Sequence, residues 1–426
     1  MDNYKKLKKE NRELQLAIKE LKILNEVATA ISSIQSIDEI IDQIVMKCIK
    51  HLDVQEGTVS LLKSNSEELE FKTMVRHKNT VSSGVPFRLD SGLKGWMLKN
   101  RTSFISNDIK NDDRFQFLSD ESYPFDSILA VPLIVQGEMI GYLAVFNKRD
   151  ANFTEEDRRL LSIIGIQSAQ IIENARLHEE EKALLQLREE IKLAGEIQRR
   201  LLPDQMPNIA KYQIFATNIP AKYVGGDYYD FLSLSENRLA FCIGDITGKG
   251  MPAAMLMSNL QATFRSQVLV DEECDTCLNR TNTLLFRSTE STKFATFLYG
   301  VLDPDSGKVK YANAGHNPPI LFREKNKPKA LEVTGVLLGG FEDSTYSQEE
   351  IGLKNDDLLL LYSDGVTEAM NSEDELYGEE RLMNLVANNR SHSVDDICEL
   401  VLNDVKQFAG DAIQSDDITL VLIKRE

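Results

Sequence analysis

The chain has 426 residues, 42% of them hydrophobic and 27% charged, with a formal net charge of −18 at pH 7. That length exceeds one ordinary domain and predicts two or three, while the acidic balance argues against nucleic acid or an anionic membrane as the main partner, since both reward basic patches. No apolar run approaches the ~20 residues that span a bilayer, and the N-terminus is a charged helix-former and not a signal peptide, so the expected location is cytoplasmic.

Leu7, Leu14, Leu21 and Ala28 recur at seven, with Ala17, Leu24 and Ile31 interleaved. This is the pattern of an amphipathic or coiled-coil helix. We read residues 1–21 as a dimerising helix, which makes the expected assembly a homodimer. Residues 57–63 and 69–75 alternate as strands around Ser64-Asn65-Ser66. A second hairpin, 128–135 and 139–147, turns at Gln136-Gly137-Glu138. A helix then starts at the capping pattern Thr154-Glu155-Glu156-Asp157. Residues 22–176 therefore read as an antiparallel sheet with helices from both ends of the segment packed on it, an α+β sensor-like module.

Gly95-Trp96, Ser106-Asn107-Asp108, Asp113-Arg114-Phe115, Val131-Pro132-Leu133 and Gly141 stand in the order found in GAF domains, which this module resembles. Asn147-Lys148, Phe153 and Asp157 are similar to the NKFDE signature of cyclic-nucleotide-binding members, with Arg158 in place of its last acidic residue. Cyclic-nucleotide binding is left open by that partial match, and the small ligand or partner of this module is unknown. Cys48, on the leading helix, is the module's only cysteine, which argues against a bilin thioether at the usual loop position. Trp96 and His77 are read as core or surface residues in preference to pocket walls.

Residues 177–202 are again helical and charged, with Leu177, Leu184, Leu187, Ile191, Ala194 and Leu201 in heptad-like spacing up to Pro203. A continuous helix leaving one domain for another can carry a rotation or register shift, and we read 177–202 as a signalling linker. Residues 203–426 form the last expected domain. Strands are expected at 238–245, 294–303, 308–316, 357–365 and 417–424, with helices after Gly250, over EERLMNLVANN and over VDDICELVLNDVKQFAG, suggesting a sandwich of sheets with helices outside. Cys274 and Cys277 form a C-x-x-C pair on a helical segment with no second pair to complete a zinc site, so one packed and one exposed thiol is the preferred reading.

Asp245 ends the apolar run Phe241-Cys242-Ile243 and precedes the glycine-bracketed turn Gly248-Lys249-Gly250. A carboxylate so placed is costly unless it binds a cation or does chemistry. Three further places share the pattern: Asp227 after Gly225-Gly226, Asp364 after LLLLYS, and Asp416-Asp417 before ITLVLI. If these strands run antiparallel, the carboxylates meet on one rim. An all-oxygen set selects Mg²⁺ or Mn²⁺ over zinc, and two such ions would relieve the repulsion and polarise a water toward a phosphoryl group.

GGDYYDF, GDITGKGMPAA, ATFLYGVLD, NAGHNPP, the LLG at 337–339, YSDGVTEAMN and DDITLVLI, in that order, together with IQRRLLP at the entry, resemble the PPM (protein phosphatase 2C-like) superfamily, and within it the SpoIIE/RsbU-type branch. The resemblance implies an αββα sandwich that hydrolyses phosphoserine or phosphothreonine on proteins, using Mn²⁺ or Mg²⁺. It implies that Asp245 bridges two ions, that the Ile246 carbonyl is a ligand, that Asp364 and Asp416 complete one ion's shell, and that Asp227 serves the other ion. Catalysis would then run through Asp245 and Asp364, by way of a metal-activated water. Asp417 stands where many relatives have Asn and is read as orienting its neighbour. Lys249 stands where many have His, and could attract phosphate. His316 is read as a turn residue first and as a general acid second. A phosphorylated STAS-domain anti-sigma-factor antagonist is the substrate implied by the resemblance. The rival reading is a non-catalytic phosphoprotein-binding scaffold; a metal-dependent phosphodiesterase or nuclease ranks last, given the charge.

Overall fold

The computed structural model describes residues 4, 6–11, 14, 18, 22, 36–62, 71–77, 91–114, 125–234, 237–270, 273–290, 292–323 and 327–426; for 71–77 and 91–95 it describes the backbone only. Most of the N-terminal heptad positions, including Leu21 and Ala28, and the side chain of His77 lie outside these residues. The chain divides into two compact units, residues 1–185 and 186–426.

In the first unit, α1 (Ile37–Leu52) leads into a five-stranded antiparallel sheet of β1 (Val54–Leu62), β2 (Phe71–His77), β3 (Phe104–Ser106), β4 (Ile128–Val135) and β5 (Glu138–Lys148), ordered β2-β1-β5-β4-β3. A short helix, α2 (Ser91–Asn100), precedes β3. The long helix α3 (Glu155–Arg199) starts as expected: the Asp157 amide donates to Thr154 Oγ1 at 3.3 Å and the Thr154 amide to Asp157 Oδ2 at 2.8 Å, a reciprocal N-terminal cap. One face of the sheet buries Val59, Val131, Leu143 and Val145 against Ile41, Ile44 and Val45 of α1 and Leu161, Ile164 and Ile172 of α3. The NKFDE-like residues make contacts within the unit. Lys148 pairs with Asp157, and the Phe153 backbone is tied through both N–H and C=O to the Asn107 side chain. Trp96 packs edge-on against Phe104 with ring centroids 4.6 Å apart.

The second unit holds two five-stranded antiparallel sheets. One runs β13-β10-β9-β8-β7, from β7 (Tyr228–Ser233), β8 (Leu239–Ile246), β9 (Ala295–Asp303), β10 (Lys308–Ala314) and β13 (Glu349–Gly352). The other runs β12-β11-β14-β15-β6, from β6 (Tyr212–Ile219), β11 (Ile320–Phe322), β12 (Lys329–Ala330), β14 (Leu358–Tyr362) and β15 (Ile418–Arg425). Its helices are α4 (Met251–Val268), α5 (Cys274–Ser288), the one-turn α6 (Asp364–Thr367), α7 (Glu379–Asn389) and α8 (Val394–Ala409).

Strand periodicity explains the layering. In β8, Leu239, Phe241 and Ile243 face Leu359, Leu361, Val421 and Ile423 of the other sheet, while Ala240 and Cys242 face Met257, Leu260, Phe264 and Leu278 of α4 and α5. In β14, Leu358 and Leu360 turn outward to Leu382, Val386, Ile397 and Val401 of α7 and α8. Strands buried on both faces read as continuous apolar runs, and the product is helix–sheet–sheet–helix, the αββα sandwich. One expectation is corrected: Cys274 and Cys277 are both fully buried free thiols, because the α5 face that carries them packs on the sheet. Burial pushes the Cys274 thiol up, which leaves it inert.

Candidate metal centre

The β7–β8 ladder pairs Tyr228 with Gly244, and one residue further the register sets Asp227 opposite Asp245. The β14–β15 ladder pairs Tyr362 with Leu420, and the Ser363 amide extends it to the Thr419 carbonyl at 3.0 Å, so Asp364 leaves its strand beside the Asp416-Asp417 entrance of β15. Each pair sits on a different sheet. Thr419, in phase with the inter-sheet residues Val421 and Ile423, donates its hydroxyl to Asp227 Oδ2 and joins the two rims. Antiparallel pairing thus brings Asp227, Asp245, Asp364 and Asp416 to the same end of the sandwich.

Asp417 takes a different part. Its Oδ1 accepts from the Ala221 amide at 2.8 Å, and its Oδ2 from the Gly226 and Asp227 amides at 2.6 and 3.3 Å. It fixes the loop ahead of β7. Gly226 keeps the backbone close to the site: a Cβ there would stand a tight 3.0 Å from the Ile246 carbonyl oxygen and 3.6 Å from Asp245 Oδ1. The loop is held from the other side by Gln198 of α3, whose amide donates to the Gly225 carbonyl at 2.7 Å and accepts from the Gly225 amide at 3.0 Å. Sequence reading missed both Gln198 and Thr419. A hydroxyl on the inter-sheet face of an apolar strand was the available signal for Thr419; for Gln198, 27 residues from its partner, there was none.

The electrostatics follow from crowding. Burial, then the charges of Asp364 and Asp416, push Asp245 up to about 7. Burial, then the Asp245 charge, holds Asp227 well above the usual carboxylate range, and burial with Asp416 and Glu368 raises Asp364. Carboxyls in this state keep protons that a cation would displace. Among the described residues no three such groups already converge as a cation cage. Asp227 is turned onto Thr419, Asp417 onto backbone amides, and Asp416 Oδ2 onto the Lys249 ammonium at 2.7 Å. His316 is buried, with Nδ1 2.8 Å from Thr296 Oγ1 and its amide donating to Asn313 Oδ1 at 2.8 Å. Burial brings its ring down to about 4 against the opposing effect of a backbone hydrogen bond at Tyr362, so it is neutral near pH 7, a turn residue whose ring is held by a hydroxyl and by backbone.

Comparison with known proteins places these residues in a family. Residues 235–426 match the family model described as Stage II sporulation protein E (SpoIIE), and residues 34–173 match the GAF domain. Protein IcfG of Synechocystis sp. (strain ATCC 27184 / PCC 6803 / Kazusa) is 29% identical over 263 residues, which is 55% of this chain and 41% of that protein. Phosphoserine phosphatase RsbU of Bacillus subtilis (strain 168) is 29% identical over 242 residues, covering 57% of this chain and 71% of RsbU. The fold matches the SiaA-PP2C domain of Pseudomonas aeruginosa with a TM-score of 0.52 at 18% identity, over 57% of this chain and 98% of that one. No helix among the described residues is long and apolar enough to cross a membrane. The chain thus joins a GAF domain to a phosphatase-like domain that matches the SpoIIE family model over residues 235–426.

Proposed function

We propose that this chain is a cytoplasmic, homodimeric, metal-dependent serine/threonine phosphoprotein phosphatase regulated by its GAF domain. The observation that carries the reading is the meeting of Asp227, Asp245, Asp364 and Asp416 at one end of the sandwich, with Asp245 raised to about 7 by burial and by the charges of its neighbours. An all-oxygen set under that strain suits Mn²⁺ or Mg²⁺. Asp245 would bridge two ions, the Ile246 carbonyl would add a backbone ligand beside the space that Gly226 leaves open, Asp364 and Asp416 would complete one ion, and Asp227 the other. When bound, the ions supply the charge that activates water and stabilises the phosphoryl group in flight. The chain's own part is to set the carboxylates: Asp417 and Gln198 grip the loop before Asp227, and Thr419 turns the Asp227 carboxylate.

The name of RsbU supports phosphoserine as the scissile group, and the family resemblance supports a phosphorylated STAS-domain anti-sigma-factor antagonist as the protein that carries it. An open groove of about 540 Å³, whose lining includes Gly365 and Ser415 next to Asp364 and Asp416 together with Met370 and Ile413, gives a protein substrate room beside the carboxylates. The exposed Leu177, Leu184 and Leu187 of α3 support pairing of two copies. The deciding measurement is release of phosphate from a phosphoserine STAS protein by the full chain, with and without Mn²⁺. Asp364→Asn is expected to lower turnover at least about 100-fold, since even outer partners of a metal cost about 10–100-fold. Full activity of that variant would refute the assignment. No turnover and no Mn²⁺ response in the unaltered chain would favour the non-catalytic scaffold.

A further inference from the structure

Lys249 stands on the turn between Asp245 and α4, bracketed by Gly248 and Gly250 with φ of +93° and +77°. Its Nζ lies 2.7 Å from Asp416 Oδ2 and 2.6 Å from the Ser415 carbonyl oxygen. The other oxygen of Asp416 already accepts from the Asp417 amide at 2.9 Å. Both oxygens of this carboxylate are therefore engaged, one of them by a positive charge. The Asp416 side chain is 32% exposed and that of Lys249 47%, so the pair sits at the mouth of the carboxylate cluster and not inside it.

We infer that Lys249 is a tethered competitor of the divalent cation, its ammonium occupying Asp416 until an ion displaces it. The inference rests on the metal reading of the preceding section and adds a control on how tightly the ions are held. Three physical points carry it. An ammonium in contact with Asp416 and a divalent ion on the same oxygen repel each other, so both cannot stay. The pair is half in water, where ion pairs are weak, so release is cheap. The tether is a lysine, a point charge on a flexible stem that can swing aside, whereas an arginine fork would clamp the carboxylate through two hydrogen bonds. Lys293 lies close by, its Nζ 3.7 Å from where a Gly248 side chain would begin, so the turn faces a second ammonium that also disfavours a loosely held cation.

The test is Mn²⁺ binding to the full chain, read from the electron paramagnetic resonance of free aqueous Mn²⁺ and so independent of turnover. Lys249→Met and, as a second uncharged variant, Lys249→Gln are expected to bind Mn²⁺ about tenfold more tightly than the unaltered chain. Lys249→Arg is expected to bind it about threefold more weakly, because its fork holds Asp416 in two places. A merely structural lysine would not give shifts of opposite sign. Unchanged or weaker binding by both uncharged variants overturns the competition. An unaltered chain and variants that all fail to bind Mn²⁺ at millimolar concentration overturn the metal reading itself, which is a separate result.

Discussion

Asp227 and Asp245 face each other across the β7–β8 register, and burial, then the Asp245 charge, raises Asp227. Two carboxylates in that position cannot both ionise cheaply without a cation, and this sets a pH dependence with a definite sign. Unfolded, Asp245 titrates near the ordinary carboxylate value of about 4; folded, it titrates at about 7. A folded-state value raised in this way stabilises the fold below pH 4 and loses that contribution as pH climbs through 7. The metal-free chain is expected to lose on the order of a few kcal/mol across this window, seen as a falling Tm between pH 5 and 7.5. Mn²⁺ binds the ionised carboxylates, so the Tm gain it confers is expected to grow over the same window. A gain that shrinks with pH would contradict the assignment. Thr419→Val gives a second check. It removes the hydroxyl that Asp227 accepts from inside the protein and is expected to cost about 1–3 kcal/mol, with weaker Mn²⁺ binding.

At the scale of the element, α3 ends on the loop that carries Asp227. Besides the Gln198 grip on Gly225, Gly195 lies flat against Tyr223: a Cβ there would come within 2.1 Å of the Tyr223 carbonyl oxygen. Helix propensity alone favours alanine over glycine by about 1 kcal/mol, so Gly195→Ala would stabilise a free helix. In this protein it is expected to do the reverse, lowering Tm and weakening Mn²⁺ binding, because helix or loop must shift by more than a methyl radius. Stabilisation by Gly195→Ala would show that α3 does not bear on the loop. Much of this unit was legible: strands such as Phe241-Cys242-Ile243 and Leu358–Leu361 are apolar throughout because both faces are buried, and the four strand-end aspartates stood out against them. β6 and β7 were not legible, since polar residues interrupt them and the GGDYYDF motif reads as a loop. Nor were the contacts that aim the site. Gln198, Thr419 and the Lys249–Asp416 pair join residues 27 to 192 positions apart, and no local pattern records such distances.

For the whole molecule, the described residues of the three apolar layers of the sandwich all come from position 201 onward, within the second unit. The chain from residue 186 is therefore expected to fold alone, keeping the Tm and the Mn²⁺ affinity of the phosphatase-like unit in the full chain. What it lacks is the exposed stripe of Leu177, Leu184 and Leu185, leaving Leu187 and Leu193 as the remainder. Exposed leucines at heptad-like spacing on a charged helix are what two copies would bury together. If the stripe pairs the copies, residues 186–426 are monomeric by light scattering at concentrations where the full chain is dimeric, and turnover on the phosphoprotein drops. The double change Leu184→Lys, Leu187→Lys in the full chain should reproduce both effects without touching the sandwich. Dimers that survive it, with turnover unchanged, would show that the leucine stripe ahead of Gly195 and Gln198 is only a tether.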